Sequence, residues 1–123
     1  MINYQFVRSL VCALRVSFDG ESIPKYLDRA MKSVLDENPS RYENIRKNIR
    51  FSDVRTGFLC IELPNIFQIA CLADLVEPCK GDYNSWRFKI SRERGVEFLG
   101  EDVNATEILE FSQRTIEYFV SHK

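Results

Sequence analysis

Apolar residues recur along most of this chain with the three-and-four spacing of a helix face, and proline or glycine interrupts the pattern repeatedly. The chain is thereby limited to several short helices folded back on one another. Residues 3–18 show the pattern first. At about 100° per residue, Phe6, Val7, Leu10, Val11, Ala13, Leu14 and Phe18 share one side, while Tyr4, Gln5, Arg8 and Arg15 share the other. Gly20 is the expected stop. A rival pattern lies in the same stretch, because Leu10, Cys12, Leu14, Val16 and Phe18 alternate as a half-buried strand would. The helix covers more residues and is preferred.

Ser22 is placed to cap a second helix with Pro24 in its first turn. Ile23, Tyr26, Leu27, Ala30, Met31, Val34 and Leu35 then line one face through Glu37, and Pro39 ends it. Ser40 and Glu43 form a capping-box pair for a short helix over 41–49, with Tyr42, Ile45 and Ile49 inward. Residues 58–63 read as a buried strand, entered through a turn at Arg55, Thr56 and Gly57 and closed by Pro64, with 51–54 beside it. Asn65 is expected to cap a helix from Ile66 to Val76, ended by Pro78. That helix is apolar almost all round, which suits a domain centre or a surface beneath a partner. After a loop at 78–84, Trp86, Phe88 and Ile90 alternate against Val96 and Phe98, the pattern of a hairpin near 85–99. Asn104 with Glu107 repeats the capping box before a closing helix to residue 120, with Ile108, Leu109, Phe111, Ser112, Ile116, Phe119 and Val120 inward. The fold class is therefore α+β: one domain over 1–123, about five helices packed with a small antiparallel sheet. A length of 123 residues and a 45% hydrophobic content supply a core of that size.

The chemistry of the chain is defined by a shortage. It holds one histidine, His122, at a position where chain ends usually fray. Cys12, Cys60, Cys71 and Cys79 include no CxxC pair, and three of them lie in apolar surroundings that suit buried free thiols. Cys79, beside Lys80, comes nearest to a reactive setting, but no internal imidazole is available to take its proton. The adjacent acids Asp19 and Glu21, Asp36 and Glu37, and Glu101 and Asp102 fall at helix ends, where negative charge has a structural use. Asp74 sits between apolar neighbours and must be paired or solvent-facing. The five glycines match no phosphate-binding loop. The expectation is no catalytic residue, no cofactor and no metal.

Charge is unevenly spread. Between 41 and 55 stand Arg41, Arg46, Lys47, Arg50 and Arg55, against Glu43 and Asp53. Between 93 and 119 stand seven acids, against Arg94 and Arg114. Either run can be an ordinary solvated face, with Glu110 and Arg114 as a helical pair. The functional alternative is an acidic C-terminal face that docks a basic protein. On that reading the chain is a small cytoplasmic protein-binding inhibitor, of the immunity-protein or antitoxin kind, that neutralises a basic toxin such as a nuclease. Its expected contacts are Glu97, Glu101, Asp102, Glu107 and Glu110, with Trp86 or Tyr118 as an aromatic anchor. Two other readings stand: a nucleic-acid-binding module using 41–55, and a small enzyme without a histidine-based site. No membrane segment is expected, and self-association is left open.

Overall fold

Asn3 starts the first helix by accepting the Gln5 N–H on its side-chain oxygen at 2.7 Å, supplying a bond that every helix start lacks. This helix, α1 (Tyr4–Ser17), buries Phe6, Val7, Leu10, Val11, Ala13 and Leu14 on the side that the helical spacing selects. Each of the larger side chains contributes roughly 1.5–3 kcal/mol by leaving water. The strand alternation in the same residues goes unused.

The computed structural model describes residues 3–54 and 57–122. After α1 come α2 (Leu27–Glu37), α3 (Glu43–Asn48), β1 (Phe51–Val54), β2 (Gly57–Cys60), α4 (Leu63–Leu72), β3 (Val76–Cys79), β4 (Asp82–Phe88), α5 (Arg92–Leu99) and α6 (Ala105–Ser121). Among the described residues these make a single α+β domain of six helices with two small antiparallel two-stranded sheets. Helix α1 packs against α4, α5 and α6, while α2 packs against α6 and β2. One apolar core joins all six helices and reaches Cys60, Val76 and Phe88 of the strands.

Two tyrosines precede helices in the same unusual way. Tyr26 (φ 65°) and Tyr42 (φ 64°) stand in the left-handed region immediately before α2 and α3. That conformation costs a side-chain-bearing residue about 1–2 kcal/mol. Tyr42 offsets the cost, since its buried ring meets Phe111 edge-on at 5.4 Å. Tyr26 is 82% exposed, which corrects its inward placement.

Neither helix has a side-chain cap, so the Ser22 cap and the Ser40–Glu43 capping box are both corrected. Ser22 bridges to Arg87 instead, with the Ile23 N–H donating to the Trp86 carbonyl and the Phe88 N–H donating to the Glu21 carbonyl. A segment tied to the edge of β4 cannot also begin a helix, and α2 starts only at Leu27. The second capping box, Asn104 with Glu107, fails as well. The Glu107 carboxylate accepts the Asn44 N–H of α3 rather than turning back to Asn104. Val120, expected inward, is exposed.

The middle of the chain departs most from expectation. β1 and β2 do pair, with Phe51 opposite Cys60. Arg55 and Thr56, the expected turn, lie outside the described residues. The second strand stops at Cys60 and α4 begins at Leu63, because Pro64 fits the first helical turn and leaves Asn65 inside the helix. The helix ends at Leu72, and Asp74 (φ 67°) turns the chain in the left-handed region. Residues 76–79 are thereby released from the expected helix to form β3, where Pro78 sits beside a register shift.

The hairpin near 85–99 is also corrected. β4 pairs with β3, Val76 opposite Phe88 and Pro78 opposite Trp86, across a turn that contains Gly81 (φ 84°). Residues 92–99 are helical, started by Ser91, whose hydroxyl accepts the Arg94 N–H at 3.1 Å.

Candidate functional site

The acids of the C-terminal quarter divide into two groups according to what they touch. Asp102, Glu107 and Glu110 are engaged within the fold. Asp102 is buried, accepts the Ser9 hydroxyl at 2.5 Å on one carboxylate oxygen and the Asn104 N–H at 2.9 Å on the other, and so ties α1 to the start of α6. Glu107 holds the Asn44 N–H at 3.2 Å. Glu110 receives the Tyr42 hydroxyl at 3.1 Å, pairs with Arg41, and pairs with Arg114 at 3.2 Å. Partial burial pushes the Glu110 carboxyl up, yet the Tyr42 bond and the two guanidinium groups outweigh it and hold it below the ordinary carboxylate value.

The basic segment is the partner in this arrangement. Arg41 meets Glu110, and the Arg46 guanidinium donates to the carbonyls of Leu35, Asn38 and Arg41, each at 2.7 Å. The Leu35 and Asn38 carbonyls lie at the end of α2, where they also accept the Asn38 and Arg41 N–H groups in turn. Arg50 donates to Glu62 from its side chain at 2.9 Å and from its backbone at 2.6 Å. The two charge runs that the sequence separates are thus brought together in space.

Glu97 and Glu101 remain outward. The face of α5 turned to α1 carries Gly95 and Leu99, and a side-chain carbon added at Gly95 meets the Cys12 carbonyl and Val16 at 3.5 Å. Helical spacing then points Glu93, Val96, Glu97 and Gly100 to solvent in one stripe. Val96 is 57% exposed, and Val103, in the turn to α6, is 97% exposed. Glu97 pairs with Arg94 at 2.5 Å, and Glu101 lies 4.0 Å from Arg8. The guanidinium groups of Arg94 and Arg8 both sit over the Phe98 ring, at 4.5 and 4.6 Å from its centroid. The outcome is an exposed stretch carrying Glu93, Glu97, Glu101, Val96 and Val103, with Arg8 largely covered and Arg94 exposed beside Glu97.

The two aromatic candidates lie elsewhere in the chain's contacts. Trp86 is half-buried on β4, its ring 6.2 Å from that of Phe67. Tyr118 stacks on His122 at 3.9 Å, about 20 Å along α6 from its first turn. Glu93, Val96 and Val103 belong to the exposed edge, although the charge pattern alone did not select them. The signal for Glu93 and Val96 is the helical spacing of 93, 96, 97 and 100, which the hairpin pattern masks by assigning 91–95 to a turn and 96–98 to a strand.

Two of the four thiols are disfavoured as thiolates by burial. Burial pushes Cys12 up to about 11 and Cys60 up to about 12, while Cys71 and Cys79 are half-buried and unpaired. Asp74 is exposed and pairs with Lys89 at 2.5 Å. Among the described residues no three His, Cys, Asp or Glu side chains gather as a metal site, and no helix is long and apolar enough to cross a membrane. No protein-family model, curated protein or solved structure matches the chain.

Proposed function

We propose that this protein works by binding another protein, and that the solvent-facing edge of α5 with the turn after it is the surface it uses. One observation carries the reading: Glu93, Glu97 and Glu101 stay exposed on the same stretch as the exposed Val96 and Val103, whereas Asp102, Glu107 and Glu110 are taken up internally. Exposed apolar groups beside a local excess of acids suit a basic partner, because the charges steer the encounter and the apolar contact slows release. The partner is a basic protein. The most concrete form is a small cytosolic inhibitor of the immunity-protein or antitoxin kind that covers the cationic cleft of a toxin such as a nuclease. Four unpaired thiols suit a reducing compartment.

Nucleic acid is the weaker reading. Among the described residues of the basic run, Arg41, Arg46 and Arg50 are engaged within the fold and Lys47 pairs with Glu43, which leaves few cations there to meet phosphates. The test is affinity capture of the tagged chain from its native host beside the triple variant E93K/E97K/E101K. A basic protein retained by the wild type and lost by the variant supports the reading. Retention by both forms removes it.

A further inference from the structure

A second feature lies at the far end of α6 from the acidic edge. An open groove of about 510 Å³ lies between α2 and α6, lined by Tyr26, Arg29, Ala30, Tyr118, Phe119 and His122. Its size falls within the range of about 300–1,000 Å³ common to small-molecule clefts. The geometry points to a binding site for a planar anion of the nucleotide type, its ring system held by the aromatic walls and its phosphate by Arg29.

Three observations support the assignment. Tyr26 and Tyr42 adopt the same left-handed backbone before a helix, but only Tyr42 gains burial and a hydrogen bond in return. Tyr26 presents its ring to solvent at the rim of the groove, with no compensating hydrogen bond or ring contact among the described residues. Arg29, one helical turn further on, is exposed and forms no ion pair or hydrogen bond among the described residues, whereas most arginines of this protein are engaged. It is also the one permanent charge among the lining residues. The nearest acid in sequence, Asp28, is turned to the Cys60 N–H at 2.7 Å. Finally, the Tyr118–His122 stack stands as a flat aromatic wall within the groove. Aromatic faces accept any nucleobase, and a guanidinium supplies the complementary charge and donors for phosphate.

The test is an NMR titration of the full chain with adenosine monophosphate as probe, followed at the ring resonances of Tyr26, Tyr118 and His122. Saturable shifts at all three are expected, with adenosine binding about tenfold more weakly and inorganic phosphate producing no saturable change. Arg29→Ala should weaken the nucleotide about tenfold. Tyr26→Gly should weaken it similarly while the unfolding midpoint holds or rises, since glycine relieves the backbone. Absence of saturable shifts up to about 10 mM nucleotide, or equal binding by the two variants and the wild type, overturns the assignment. Equal response to inorganic phosphate also overturns it.

Discussion

The Tyr42 hydroxyl donates to Glu110 Oε1 at 3.1 Å, across 68 residues of sequence, and joins the basic segment to the acidic helix. Arg41 meets the same carboxylate from the segment before α3, and Arg114 meets it from within α6. Replacing Tyr42 with Phe keeps the ring against Phe111 and removes only the hydroxyl. The unfolding free energy should fall by about 0.5–1.5 kcal/mol at pH 7 in urea denaturation.

The same junction sets an acid limit. Glu110 is held below the ordinary carboxylate value. At Glu62, partial burial pushes upward, but hydrogen bonds from Arg50 outweigh it and hold that carboxyl low too. A carboxyl depressed in the folded state binds fewer protons there than in the unfolded chain. Its contribution is therefore present above the ordinary value, about 4.3, and is lost as pH falls through the lower folded value. Urea midpoints should be flat near neutrality and drop below about pH 4, and the Tyr42→Phe deficit should shrink there.

Ser9 and Asp102 form the second tie between distant segments. Ser9→Ala deprives a buried carboxylate of one of its donors and should cost about 1–3 kcal/mol. A double-mutant cycle with Asp102→Ala should show strong coupling between the two positions, and additive losses would contradict the tie.

Two positions should accept a change that improves stability. At Gly95 an added methyl meets Cys12 and Val16 at ordinary contact distance, so Gly95→Ala should stabilise α5 by about 0.5–1 kcal/mol. Thr115 is fully buried and its hydroxyl has no partner among the described residues, so Thr115→Val should be neutral or stabilising. Thermal unfolding reads both.

Thiol reactivity should follow burial. A disulfide reagent applied to the native protein should modify Cys71 and Cys79 first and reach Cys12 and Cys60 only on unfolding. Peptide mapping after a short exposure distinguishes the four.

These elements also show what a single sequence reveals. α1 was legible because seven apolar residues repeat over a long stretch, and α6 for the same reason. Residues 92–99 misled because Val96 and Phe98 mimic strand alternation over too short a span, while the true signal, Ser91 as a cap, competed with a turn. β3 was hidden by Pro78, which reads as a stop until its partner strand is known. The uneven charge was plain, but its pairing was not, because the meeting of Arg41 with Glu110 depends on how α3 lies against α6. Burial of Asp102 likewise follows from a hydroxyl 93 positions away.

The most direct test of the docking surface is titration calorimetry of the wild type and the E93K/E97K/E101K variant against the basic protein captured from the host. With circular dichroism unchanged, the variant should bind about 100-fold or more weakly, and wild-type affinity should fall as salt is raised. Affinity equal in the two proteins and indifferent to salt would contradict a function carried by the edge of α5.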